Sequence, residues 1–251
     1  MKNKLVLLLV EGVTEEIVYL NLLKKLYNME EIDCEKLPET ARTLVEPLPR
    51  RTTRCLYLKT EYLDRYVILL NCGGYEHIKK LLKLILKRHE LSTALRKSEV
   101  VIAIAADRDK NPFKDIETAL SSLNIEFRPQ QHNILEISIG YEQQTKLRIH
   151  VIEQGMQTNN KVTGEIEDEL ESMLEEVIEC LATEKNLANA IRKTESLTTK
   201  QRFLLYLALL DHQIKIRKLF DKLNEVLNRA DKDMLAKKLG SLVEKLEKAI
   251  N

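Results

Sequence analysis

The sequence predicts an α/β protein: a mostly parallel sheet with helices on both faces, followed by a helical C-terminal region. Three observations predict it. Short continuous apolar runs such as "LVLLLV" and "VVIAIAA" have the length and composition of strands buried on both faces. Segments with apolar residues at helical spacing alternate with them, as a parallel sheet requires. Beyond residue 164 the strand patterns cease and nearly every segment has helical periodicity. The expected division is therefore 1–164 for the α/β part and 165–251 for the helical part.

Leu5–Val10 is the first expected strand, stopped by Glu11-Gly12. Thr14 suits the N-cap of a helix running to Tyr27, with Ile17, Leu20, Leu23 and Leu26 on one stripe. Residues 29–54 are polar, carry Pro38, Pro47 and Pro49, and read mostly as loop. A second strand, Tyr66–Asn71, ends at Cys72-Gly73-Gly74, and one helix is expected over "YEHIKKLLKLILKRHEL". A third strand, Val100–Ala106, ends at Asp107-Arg108-Asp109. Pro112 then starts a helix that runs to about Leu123. "IEFRP", "ILEISIG" and "KLRIHVIEQ" complete the strands. In the helical part "RFLLYLALL" is apolar on all sides and predicts a helix buried all round.

Composition sets the bounds. With 44% hydrophobic and 31% charged residues, the 251-residue chain folds and is not a disordered segment. A net charge of +1 points to no partner by itself. Cys34, Cys55, Cys72 and Cys180 show no CxxC spacing, so reduced thiols in a cytoplasmic protein are expected, not a zinc site or disulfide frame. Glu11 interrupts the first apolar run, and no run approaches a membrane span, so no membrane partner is expected.

The chemistry gathers at the strand ends. In a parallel sheet functional residues lie just beyond the carboxyl ends of strands. Glu11 ends the first strand, and Asp107 and Asp109 end the third. Glu15 lies one helical turn beyond Glu11 and can face the same place. Crowded carboxylates repel unless a cation holds them, and an oxygen-only set suits Mg²⁺ or Mn²⁺. Gly12, Gly73 and Gly74 would let the backbone turn sharply beside a ligand.

"LVEGVTEE", followed about a hundred residues later by "VIAIAADRD", resembles the Toprim domain. This is the catalytic α/β module of type IA and II topoisomerases, DnaG-type primases, small ribosomal-RNA maturases and the overcoming-lysogenization-defect (OLD) nucleases. The second acid, the later "GEIEDEL" and the helix "KQRFLLYLALL" make the OLD nuclease Toprim and small archaeal and bacterial Toprim-like proteins the nearest likeness. The resemblance implies Glu11 as general acid/base or metal ligand and Asp107 with Asp109 as the Mg²⁺ pair. It implies Glu15 as the extra acid, Glu167 or Asp168 as a further ligand, and Lys200 as a phosphate or leaving-group contact. Two metal ions about 3.5–4 Å apart can activate a nucleophile and stabilise a leaving oxyanion. A topoisomerase would also need a nucleophilic tyrosine from a separate domain, and none of the eight tyrosines has a recognisable context for that role. Hydrolysis of DNA or RNA is therefore the expected reaction.

Basic residues supply a candidate nucleic-acid surface: Arg50, Arg51 and Arg54 in "PRRTTR", and Lys79, Lys80 and Lys83 on the helix after the second strand. Residues 76–97 hold seven Lys/Arg against two acids, a balance that suits a phosphate backbone as well as a solvated helix face. The other expectation is a non-catalytic Toprim-fold binding or regulatory protein. The chain has no GxxxxGK[ST] motif, so a separate ATPase partner stays open, as does an oligomer.

Overall fold

The computed structural model describes residues 3–49, 51–60, 63–131, 133–139, 145–155, 157–158, 161–162, 165–179, 191–192, 197–211 and 216–251. Its strands are β1 (Asn3–Val10), β2 (Glu30–Ile32), β3 (Thr52–Lys59), β4 (Asp64–Asn71), β5 (Ser98–Asp107), β6 (Phe127–Gln130), β7 (Ile134–Ile139), β8 (Thr145–Gln154), β9 (Gln157–Thr158) and β10 (Lys161–Val162). Its helices are α1 (Val13–Lys25), α2 (Glu39–Val45), α3 (Tyr75–Lys87), α4 (His89–Lys97), α5 (Pro112–Ser121), α6 (Ile166–Glu179), α7 (Thr199–Asp211), α8 (Ile216–Arg229), α9 (Lys232–Lys238) and α10 (Gly240–Ile250).

Eight strands form one sheet in the order β2-β3-β4-β1-β5-β8-β7-β6. The centre, β4-β1-β5-β8, is parallel, and both flanks pair antiparallel. The central strands are the continuous apolar runs, buried on both faces as crossover helices demand. In β1, Leu5, Leu7 and Leu9 point to the face covered by α2 to α5, while Val6, Leu8 and Val10 point to the other face. That second face is covered by α1 together with α6 to α10, through Leu170, Phe203, Tyr206, Leu223, Leu235 and Leu246 among others. The helical C-terminal part therefore supplies most of one layer. Truncating a fully buried leucine such as Leu8 costs about 2–5 kcal/mol.

Several local expectations are corrected. Residues 29–54 are not mostly loop: they hold β2, a 3₁₀ turn at Cys34–Lys36, α2 and the start of β3. These elements are too short to show periodicity. Cys34 and Cys55 form a disulfide, because the β2–β3 pairing sets Ile32 opposite Cys55 and brings the 3₁₀ turn over it. This removes the thiol-based ground for a reducing compartment. Cys72 is a buried free thiol, and Cys180 lies outside the described residues. Thr14 is not an N-cap: Gly12 holds that position in extended conformation, and Thr14 is buried inside the helix. The helix expected over 75–91 breaks at Arg88, whose backbone is extended, into α3 and α4. Leu205 of "RFLLYLALL" is 40% exposed, so α7 is not buried all round. No helix among the described residues is long and apolar enough to cross a membrane.

Candidate metal centre

The order of the parallel strands places the site. From β1 the chain crosses to β4 on one side, then returns to β5 on the other. The crossover direction thus reverses between β1 and β5, and the crevice beyond their carboxyl ends is where such sheets receive ligands. Val10 and Ala105 are register partners there, so Glu11 and Asp107 emerge side by side. The turn after β4 is tied to the same rim: Gly74 N donates to Glu11 O at 2.8 Å, and Cys72 N to Val10 O at 2.9 Å. Gly73, at φ +77°, lies under the Arg51 side chain, which a Cβ would strike.

Glu11, Glu15 and Asp107 converge, each offering a carboxylate oxygen within 4.8 Å of the others. Glu15 reaches back from the first turn of α1 over Gly12, where a Cβ would stand only 3.2 Å from Glu15 Oε2. Burial pushes the Glu15 carboxyl up to about 8, and the charges of Asp107, Glu167 and Glu11 add to the rise. Burial likewise pushes Asp107 up to about 7; Lys110 pulls against this, and Glu11 adds to it. The Lys110 Nζ lies between the two strand ends, 2.6 and 2.8 Å from the Glu11 oxygens and 3.1 Å from Asp107 Oδ2. Burial would lower the Lys110 pKa, but its bonds and charge pairing with Glu11 and Asp107 outweigh that and leave it raised.

A buried cluster of Glu11, Glu15 and Asp107 can bind a metal ion. The donors are all oxygen, and Asp107 Oδ1 is buried with no hydrogen-bond partner among the described residues. An unsatisfied buried carboxylate oxygen is costly, and a cation would satisfy it. Behind the cluster, the fully buried Gln154 donates from Nε2 to the Tyr19 hydroxyl oxygen at 3.1 Å. Glu169 Oε1 accepts from Gly155 N at 3.1 Å.

The other expected residues divide. Glu167 is buried, acts electrostatically on both Glu15 and Asp107, and has the largely exposed Lys200 ammonium 3.9 Å away. Asp109 is exposed in the turn after β5 and stands outside the cluster, because the 3₁₀ turn ends the strand's alternation at Asp107. Asp168 is in α6, its side chain outside the described residues, as is all of Arg50. Arg54 is committed to Glu16, at 3.1 Å, and Glu31, at 3.4 Å, so it does not belong to a free cationic loop. Lys79 pairs with Glu76 and Asp115, whereas Lys80 is exposed. Lys79, Lys80 and Lys83 line a cavity of about 350 Å³ between α3 and α5. Arg51 is exposed.

Sequence reasoning missed Lys110, Tyr19 and Gln154. For Lys110 the signal was present: a lysine three residues past the strand-end aspartate. Tyr19 and Gln154 read as ordinary core-facing positions, and only the fold brings them together.

No family model matches the chain, and no curated protein matches it. Among solved structures, the hypothetical protein PH0156 of Pyrococcus horikoshii OT3 is similar over 100% of both chains, with a TM-score of 0.66 and 20% identity. Lactoylglutathione lyase of Agrobacterium tumefaciens (10% identity, 59% of this chain and 91% of that one) has a TM-score of 0.17, too low to carry a likeness of fold. The same holds for the cytosolic domain of the T. maritima FeoB iron transporter (TM-score 0.21, 10% identity, 100% of this chain and 96% of that one). The likeness to the Pyrococcus protein is one of fold alone: an α/β sheet with its helical C-terminal layer.

Proposed function

We propose that the protein is a Mg²⁺- or Mn²⁺-dependent nuclease of the Toprim type, hydrolysing phosphodiester bonds in DNA or RNA. The observation that carries this reading is the convergence of Glu11, Glu15 and Asp107 at the switch point of the sheet. The "LVEGVTEE" and "VIAIAADRD" segments that resemble Toprim supply those three carboxylates.

Glu11, Glu15 and Asp107 would hold the metal, with Glu167 at the edge of the set. The ion, when bound, supplies charge stabilisation at phosphoryl oxygens and lowers the pKa of water. Glu11 is the least buried of the three and would take a proton from an attacking water or return one to the leaving oxygen. Asp107 would offer the ion Oδ1, which is buried and has no hydrogen-bond partner among the described residues. Lys80 and Arg51 offer exposed charge for a phosphate backbone near the rim.

The experiment is a cleavage assay on single- and double-stranded DNA and RNA with Mg²⁺ or Mn²⁺, with Asp107→Ala as control. Cleavage by the wild type, abolished in the variant, is the expected result. Binding without cleavage, equal in both proteins, would instead favour a Toprim-fold binding protein acting with a separate ATPase.

A further inference from the structure

Lys110 is the residue at the centre of the cluster that no motif assigns. Its ammonium donates to both oxygens of Glu11 and to Asp107 Oδ2, the carboxylates that would ligate a cation. Resting on the metal-site reading above, we infer that Lys110 is a built-in counter-ion: it keeps the place of the divalent cation between Glu11 and Asp107, must swing out for the cation to enter, and so sets the affinity of the site.

Electrostatics requires the displacement. An ammonium and a divalent ion sharing carboxylates 2.6–3.1 Å from the ammonium would stand within a few ångströms of each other, and their repulsion in a partly buried site is large. The fold holds the backbone of Lys110 and leaves room beside its side chain. Lys110 ends the 3₁₀ turn Arg108–Lys110, closed by a 3.0 Å bond from Asn111 N to Arg108 O, so its backbone is held. The four-carbon stem is the mobile part, and its side chain is 31% exposed, which leaves a way out. That way leads into a cavity of about 580 Å³ lined by Gly73, Gly74, Tyr75, His77, Lys110 and Asp115. Lys110 Nζ already lies over the Tyr75 ring, 5.8 Å from its centroid, so the ammonium borders this cavity on a face that attracts a cation. The Tyr75 hydroxyl donates to Asp115 Oδ2 at 3.1 Å, which fixes the ring. Lys79, 5.0 Å from the same centroid, is held by Glu76 and Asp115. A purely structural ion pair would need neither the exposed stem nor the neighbouring cavity.

The test is a calorimetric titration of the full chain with Mn²⁺ alone, comparing wild type, Lys110→Met and Lys110→Arg. Without the competing charge, Lys110→Met binds Mn²⁺ about tenfold tighter or more, while Lys110→Arg stays within about threefold of wild type. Unchanged or weaker binding by Lys110→Met overturns the inference. A second readout needs no variant: Lys110 is labelled by an amine-reactive reagent with and without Mn²⁺, and its peptide is quantified by mass spectrometry. Labelling that rises with Mn²⁺ supports displacement, and labelling that stays level or falls in protein saturated with Mn²⁺ contradicts it. If neither wild type nor Lys110→Met binds Mn²⁺, the metal-site reading itself fails. If both bind equally, only the role of Lys110 fails.

Discussion

Glu15 and Glu16 are neighbours in the first turn of α1, both about 94% buried, and they face opposite environments. Glu15 joins Glu11 and Asp107 in the acidic cluster. Glu16 is fully partnered: it accepts from Thr52 Oγ1 at 2.6 Å, Asn71 Nδ2 at 2.8 Å and Arg54 Nε at 3.1 Å, which ties α1 to β3 and β4. The helix turns successive side chains by about 100°, so one carboxylate serves the site and the next serves the frame.

Their substitutions should therefore have opposite effects. Glu16→Ala leaves the buried Asn71 amide and the Thr52 hydroxyl without their acceptor and should cost about 2–3 kcal/mol. Glu15→Gln removes a charge from a crowded site and should leave metal-free stability at pH 8 equal or higher. Urea unfolding of both variants measures this, and similar losses in the two would contradict the division of roles.

The pH dependence follows from the raised carboxyls. Glu15 stands at about 8 against an ordinary 4.5, and Asp107 at about 7 against 3.8. A carboxyl raised in the folded state favours folding while it is protonated there. That contribution is complete below the ordinary values and is lost as pH rises through about 7 and 8. Metal-free wild type should thus lose stability between about pH 5 and 8, more steeply than Glu15→Gln does. Melting curves in EDTA across this range check it, and parallel curves for the two proteins would sink it.

Asp107→Ala should remain folded and lose its response to metal. Mn²⁺ at a hundredfold excess over its Kd should raise the wild-type Tm by roughly 5–10 °C and leave the variant unmoved. An equal shift in both would remove Asp107 from the ligand set.

The Cys34–Cys55 bond closes a loop of sequence separation 21 and fastens the 3₁₀ turn to β3. Loop-closure entropy assigns it about 3 kcal/mol. Cys55→Ala, compared with wild type by chemical denaturation without reductant, should show a loss of that order. Indistinguishable midpoints would contradict it.

The central strands were legible because a parallel sheet buried on both faces demands continuous apolar runs, and Leu5–Val10 and Val100–Ala106 are such runs. Their ends gave Glu11 and Asp107. That Asp109 stands outside the cluster was not legible, because spacing along the chain does not show where β5 yields to a 3₁₀ turn. The separate duties of Glu15 and Glu16 depend on what α1 packs against, and β3, which supplies Thr52 and Arg54, lay in a stretch read as loop. The disulfide was hidden for the same reason: it depends on the register of β2 with β3, not on a cysteine motif. Lys110 was visible as a residue but not as a bridge, because bridging requires β1 and β5 to be neighbours.

The most direct measurement of the central claim is an anomalous difference map from crystals of the full chain soaked in Mn²⁺, collected near the manganese absorption edge. The account predicts a peak among the carboxylates of Glu11, Glu15 and Asp107, with the Lys110 ammonium moved off them. A map with no peak there, or with Mn²⁺ bound only elsewhere, would contradict it.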